Sequence, residues 1–434
     1  MQNVARILLC LVAAATTLGQ SQGNFINVEG ADLKSRLATA IRRGSAQRGR
    51  FWVAYTFAVK PGIAFDAVYI GHRGSPISIN SKTANSQIET RNLGLFLLYE
   101  NAGGPIARTE IYNLDRPRDY SGYPVYWLDR APGNESLPLL RGLIDTVTPN
   151  ESVERLTDAI GAHDETQVPT VLRDIVRNAK SERARVTAIS WLGHLPEQTD
   201  FLAAFVRDER ELVTVRREAA EAIGDSPDRT APRALQDLYR AVTHREVKRE
   251  LLEAIADDGL EADALRFLVE TVQREPDRVL QHDAIEAIAE AETSDATAAL
   301  QQLFSGTNQR EVKEKIVEAM EDAADRASAI RFLAGVARND SDREVRESAL
   351  DALGDMHDER GVDALTQLYD AAGDEVTKYE ILDALGDTES TRALQKLMAV
   401  AQRDPSIKLR RRAIALLGES EDPVAFKFLE ELIK

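Results

Sequence analysis

From residue 150 to its end the chain repeats itself every 31 to 33 residues. The segments RLTDAIG, AISWLG, REAAEAIG, RELLEAIA, DAIEAIA, KIVEAME, ESALDALG, YEILDALG and RRAIALLG close on Gly161, Gly193, Gly224, Ala256, Ala289, Glu321, Gly354, Gly386 and Gly418. An apolar residue stands just before each anchor, from Ile160 and Leu192 to Leu385 and Leu417, with apolar or small residues four and five places earlier. That spacing puts one stripe on one helix. A second amphipathic stretch lies between anchors, as in PRALQDLYRAV, VDALTQLYDAA and TRALQKLMAVA. Pro, Asp, Ser and Thr gather between the two, as in GDSPDRTAP, NDSD and GESEDP, where they break and cap helices. Each period therefore reads as two antiparallel helices. One such pair cannot bury its apolar faces alone, whereas stacked pairs share a continuous core, so the sequence predicts a mainly α protein with a solenoid of about nine helix pairs over 150–434.

Within the period, DREVRESALDALGD, REVKRELLEAIAD and REVKEKIVEAMED combine a charged turn, a Val beside Arg or Lys, and a helix rich in Ala and Leu. In this the chain resembles HEAT repeats of the short type named after phycobilisome lyases, over about two thirds of its length. The resemblance implies the fold. It implies no single activity, because the repeat serves scaffolds and a few enzymes alike.

The opening MQNVARILLCLVAAATTLGQSQ has one Arg, an apolar run from Ile7 to Leu18, then small and polar residues. This is the layout of a secretory signal peptide over 1–19, with cleavage after Gly19 or Ser21, and it predicts a periplasmic or secreted protein. The run is too short to span a bilayer and no later stretch is long enough, so no membrane insertion is expected after signal removal. Cys10 is the only cysteine and would leave with the signal, which excludes disulfide, thiol and thiolate-metal chemistry from the mature chain.

Residues 24–135 differ in texture. FWVAYTFAV, FDAVYI, LGLFLLYE, ARTEIYNL and PVYWLD are rich in aromatic and β-branched residues, with KPG, GSP and AGGP between them. They predict a small β-rich domain, an antiparallel sheet or sandwich, with a helix before it near Gly30 to Arg43 and a connecting helix over 136–149. Trp52, Tyr55, Phe57 and Trp127 read as its core. Because a solenoid end exposes an apolar face, this domain is expected to act as a cap.

The search for catalytic motifs finds no glycine-rich phosphate loop, no serine elbow and no zinc signature of two His on one helical face. The pairs His163-Asp164, His282-Asp283 and His357-Asp358 invite comparison with deoxyhypusine hydroxylases, HEAT-like enzymes that hold two irons through His-Glu pairs. No His-Glu pair occurs here, and the three histidines stand at different repeat positions, so no metal and no cofactor are expected. The alternative to a binding protein is an enzyme, either lyase-like through the repeats or with a site in the N-terminal domain.

Charge supplies the functional expectation. Residues 150–434 carry 38 basic and 60 acidic groups, a balance that repels nucleic acid. Three residues before the anchor stand Asp158, Glu221, Glu253, Glu286, Glu318, Asp351 and Asp383, and one residue after it Asp225, Asp257, Glu290, Asp322, Asp355, Asp387 and Glu419. The columns are four residues apart and share one helical face. Eight before the anchor a third column is basic, with Arg185, Arg216, Lys248, Lys313, Arg346, Lys378 and Arg410; it lies too far round the helix to neutralise the acids and reads as a structural ladder. Like charges in a line cost stability, so the acidic columns are expected to bind a protein partner through a Lys- or Arg-rich segment.

Overall fold

A computed structural model of the protein describes residues 25–47, 49–66, 69–72, 88–100, 104–115, 120–148, 150–256, 261–291, 293–388 and 390–433, with side chains undescribed from 64 to 89. The expected leader lies outside the described residues. The chain divides into two compact units, residues 1–231 and 232–434.

In the first unit, β1 (Phe25–Asn27), β2 (Phe51–Thr56), β6 (Leu93–Tyr99), β7 (Ile106–Asn113) and β8 (Val125–Arg130) form one sheet in the order β1-β8-β2-β6-β7. A smaller sheet joins β3 (Ile63–Asp66), β4 (Tyr69–His72) and β5 (Ile88–Glu89). The expected antiparallel arrangement is corrected: β6 runs antiparallel to β2 and β7, but β8 lies parallel to both β1 and β2. The cause is the crossover helix α1 (Leu33–Ala46), which returns the chain so that β1 and β2 point the same way. Trp52, Ala54, Phe96, Leu98, Tyr112 and Val125 make one buried cluster, and Tyr55 and Phe57 are also buried, while Trp127 is half-buried against that cluster.

Helix α2 (Gly133–Ile144) leads into α3 (Asn150–Ala162), α4 (Val168–Asn178), α5 (Glu182–Gly193), α6 (Thr199–Arg207) and α7 (Val213–Gly224). The sheet is tied to this first stretch of helices. The Thr109 N–H donates to Ser152 Oγ at 3.0 Å, and residues 58–60 pair with 162–164 through Lys60 N–H to Ala162 O at 3.0 Å and Asp164 N–H to Ala58 O at 2.7 Å.

The second unit runs through α8 (Ala231–Ala241), α9 (Arg245–Ala256), α10 (Ala262–Arg274), α11 (Arg278–Ala289), α12 (Ser294–Gly306), α13 (Arg310–Ala319), α14 (Arg326–Asn339), α15 (Arg343–Asp355), α16 (Glu359–Ala371), α17 (Glu375–Gly386), α18 (Thr391–Arg403), α19 (Ile407–Glu419) and α20 (Pro423–Ile433). Among the described residues, α3–α7 of the first unit and α8–α20 of the second follow in chain order as successive helix pairs, each unit stacking its own pairs as a repeat solenoid. Side-chain caps start many of them, for example Asp342 on Glu344 N–H before α15 and Asp374 on Thr377 N–H before α17. Within this unit odd-numbered helices pack on odd and even on even, making two layers. Leu350, Leu353, Leu382 and Leu385 are buried between them, each stabilising the stack by about 2 kcal/mol. The anchor glycine sets how closely the odd helices approach: a Cβ on Gly354 would stand 2.8 Å from the Ala384 carbonyl oxygen of the next odd helix.

Candidate functional site

The odd-helix layer of the second unit carries the acidic columns on its last turns. Glu253, Glu286, Glu318 and Asp351 are exposed and Asp383 is half-buried; Glu290, Asp322, Asp355, Asp387 and Glu419 are exposed. In the first unit Glu221 and Asp225 are exposed on and just after α7. Asp257 lies outside the described residues. Asp158 does not belong to an exposed face: it is 7% exposed, accepts the Trp191 indole N–H at 3.0 Å and pairs with Arg155 at 3.3 Å. Burial pushes its carboxyl up to about 6. The difference comes from Trp191, which closes over Asp158 from a repeat position that holds Ala159, Ala222, Ala254, Ala287, Ala319, Ala352 or Ala384 in other repeats.

The helix ends of this layer have an unusual sign. A helix C-terminus carries partial negative charge and favours cations. The even helices α8, α10, α14 and α18 follow this with Arg240, Arg274, Arg338 and Arg403 in their last turns. The odd helices α9, α11, α13, α15, α17 and α19 have no basic residue there. Their carboxylates do not serve as caps for the following even helices, whose starts are capped by Thr293, Asp325, Asp358 and Ser390.

Part of the layer is neutralised by cations that the sequence reading did not place. Lys315 bridges Glu286 at 2.5 Å and Glu318 at 3.0 Å, and Arg412 holds Asp383 at 2.5 Å. Both stand six before their anchors, a position from which the i,i+3 rule would have found the Glu318 contact but not the contacts across repeats. Among the described residues no ion pair reaches Glu321, Asp322, Asp351, Asp355 or Asp387. Glu321 sits at the anchor itself, where eight other repeats have Gly or Ala. Burial and the neighbouring Asp355, Glu318, Asp322 and Asp351 push its carboxyl up to about 7. Asp351 is likewise raised, by burial and by Asp355, Asp387, Glu347 and Asp383. These carboxylates at the ends of α13, α15 and α17 press on one another, and among the described residues no ion pair offsets them.

The basic column takes a different direction, toward the carboxyl ends of even helices. Arg185 donates to Val176 O at 2.7 Å, Arg216 to Val206 O at 3.0 Å, Arg346 to Asp340 O at 2.9 Å and Arg410 to Asp404 O at 2.7 Å. Lys248 pairs with Glu275 at 2.9 Å and Lys313 with Asp340 at 2.7 Å, both acids being the residues that close α10 and α14. Lys378 lies over the Tyr369 ring at 5.1 Å. Where the column lacks a cation, Gln281 donates its amide to Val272 O at 3.0 Å. The carbonyls bound in this way at the ends of α4, α6, α10, α14 and α18 would otherwise be orphans.

His163 is 1% exposed and stacked on Phe57 with ring centroids 4.1 Å apart. Its Nδ1–H donates to Ala159 O at 2.6 Å, so Nε2 accepts from Ser136 Oγ at 2.9 Å, which in turn accepts from Tyr55 OH at 2.9 Å. Ser136 is fully buried, and this chain of hydrogen bonds ties β2, α2 and α3 together. His357 is exposed after α15 and His282 is half-buried on α11. Among the described residues no three His, Cys, Asp or Glu gather as a metal site, and no helix is long and apolar enough to cross a membrane.

The family model for HEAT repeats matches residues 168–256, 265–354, 296–386 and 362–434, more than half of the chain. The chain is a HEAT-repeat protein. No curated protein matches it. Solved HEAT-like structures similar to this HEAT-repeat chain include human deoxyhypusine hydroxylase in complex with glycerol, at 17% identity over 58% of this chain and 96% of that one, TM-score 0.26. The complex of CpcE and CpcF of phycocyanin lyase from Nostoc sp. PCC7120 is 19% identical over 59% of this chain and 97% of that one, TM-score 0.28. A structure of Kap95p with RanGDP is 14% identical over 66% of this chain and 46% of that one, TM-score 0.41. At these identities the likeness is one of fold. The matched residues leave the N-terminal sheet unassigned to any family.

Proposed function

We propose that this HEAT-repeat protein is an exported, non-catalytic scaffold that binds a protein partner, and that the acidic odd-helix layer of residues 232–434 receives a basic segment of that partner. Export rests on the layout of residues 1–19 alone. The observation that carries the binding reading is the group Glu321, Asp322, Asp351, Asp355 and Asp387, crowded at helix C-termini with no ion pair to any of them among the described residues. Such charge opposes the helix dipoles and raises two carboxyl pKa values, so it destabilises the fold. A cationic partner relieves both costs and is steered by the same field. Nucleic acid and anionic lipid meet repulsion instead.

The test is a variant in which Glu321, Asp322, Asp351, Asp355 and Asp387 become Gln or Asn, used as bait beside the wild type in an envelope extract of the source cells. The expected result is loss of a salt-elutable protein that the wild type captures, with unchanged circular dichroism. Equal capture by both baits would refute the acidic layer as the binding surface. Intact-mass measurement of the mature protein is expected to show an N-terminus within a few residues of Gln20, and an intact Met1 in a cytosolic fraction would refute export.

A further inference from the structure

Between α15, α17 and α19 the acidic layer is indented by a hollow of about 450 Å³. Glu347, Asp351, Glu380 and Asp383 line it together with the side chains of Val376 and Tyr379. Val376 is 48% exposed, an apolar group beside these carboxylates. The chemistry is graded along the hollow. At the end where α15 and α17 begin, Arg343 lies between two carboxylates, 2.6 Å from Glu347 and 2.6 Å from Glu380, so the protein itself shows a guanidinium held between these helices. Lys408 stands over one side of Tyr379 at 5.2 Å. At the other end Asp383 is held by Arg412, while no ion pair among the described residues reaches Asp351, and Asp355 and Asp387 lie close enough to press on it. An apolar wall beside an unneutralised carboxylate suits a side chain with an aliphatic stem and a cationic head.

We propose that this hollow is the docking slot for a basic side chain of a protein partner, presented on an extended segment with its cationic head at Asp351 and an adjoining apolar residue against Val376. This deepens the reading of the acidic layer and rests on it. The occupant follows from charge complementarity at one end and an exposed apolar group at the other. Val279 and Ile407 are also exposed on odd helices, but of these apolar groups only Val376 lines the hollow, and a diffuse field would act without regard to its contact.

The experiment titrates full-length mature protein with a fluorescein-labelled peptide, Gly-Leu-Arg repeated four times, followed by anisotropy; the same peptide with citrulline for Arg is the neutral control. Three variants are compared: Asp351→Asn, Val376→Ser, and the pair Glu253→Gln with Glu290→Gln, which removes charge from the same columns outside the hollow. All four positions are exposed, and circular dichroism checks the folding of the variants. The slot is supported by a loss of about ten-fold in affinity for Asp351→Asn, about three-fold for Val376→Ser and less than two-fold for the distant pair. Equal losses for Asp351→Asn and the distant pair, with none for Val376→Ser, would overturn the slot while leaving the acidic-layer reading standing. Wild-type protein that binds the Arg and citrulline peptides alike would overturn both.

Discussion

Lys60 is the least comfortable charge in the described residues of the first unit. Its backbone pairs with Ala162, and this carries the side chain under Trp191, with Nζ 4.6 Å from the ring centroid. The ring is fixed in place: its indole N–H is bound by Asp158, and a Cβ on Gly161 would stand 2.1 Å from it. Lys60 Nζ is buried without a hydrogen-bond partner, and burial pushes its pKa down to about 8 from 10.5, with Asp164 opposing the shift. That difference corresponds to about 3 kcal/mol at neutral pH, since one pKa unit is about 1.4 kcal/mol. The cation over Trp191 returns about 0.5 to 2 kcal/mol. Replacing Lys60 by Met keeps the stem and removes the charge, so Lys60→Met is expected to stabilise this unit by about 1 to 3 kcal/mol at pH 7. Between pH 8 and 10.5 the folded amine has lost its proton and the unfolded one has not. Wild-type stability therefore rises with pH in that window, and the advantage of the variant closes. The assay is urea unfolding followed by tryptophan fluorescence, which reports this unit because Trp52, Trp127 and Trp191 all lie in it. A variant no more stable than wild type at pH 7, or one whose advantage persists unchanged at pH 10, would refute the reasoning.

Three further outcomes follow from other sites. Burial lowers the His163 pKa to about 4 from 6.5, so the unfolded state binds the extra proton and stability falls as pH drops from 6.5 to 4; His163→Gln should show a flatter pH dependence than wild type by up to about 3 kcal/mol in urea unfolding across that window. Glu321 is raised to about 7 from 4.5, a cost that grows as pH rises through that range, so Glu321→Gln should raise stability at pH 8 by about 1 kcal/mol after screening and by almost nothing at pH 4, read from the denaturation midpoint. Gly354→Ala puts a Cβ 2.8 Å from the Ala384 carbonyl oxygen and should cost about 1 to 3 kcal/mol, whereas Gly306→Ala, with open space around it, should not destabilise.

The period made the solenoid legible, because each anchor recurs with the same apolar stripe and the stack has one way to bury it. The order of the N-terminal strands was not legible in the same way. FIN, the three residues of β1, is too short to show alternation, and its parallel pairing with β8 joins residues about 100 apart. In the columns, spacing found the carboxylates but not their partners: Lys315 reaches Glu286 from the next repeat, and Trp191 closes over Asp158, contacts that only the packing of neighbouring helices decides. Glu321 escaped notice because it replaces a small anchor rather than extending a column. Lys60 lies in a segment whose strand-like pairing with residues 162–164 leaves no local pattern.

The central claim is that the unneutralised layer attracts a cationic protein segment, and salt dependence tests it most directly. Anisotropy titration of the full-length mature protein with a labelled twelve-residue Arg-Gly peptide, at 50 mM and 500 mM salt, compares wild type with the variant neutralised at Glu321, Asp322, Asp351, Asp355 and Asp387. Wild-type affinity is expected to fall about ten-fold or more between the two salts, and the variant to bind weakly at both, since long-range attraction is screened within about 10 Å at 0.1 M and over a shorter range at higher salt. Identical affinity and identical salt dependence for the two proteins would contradict the account.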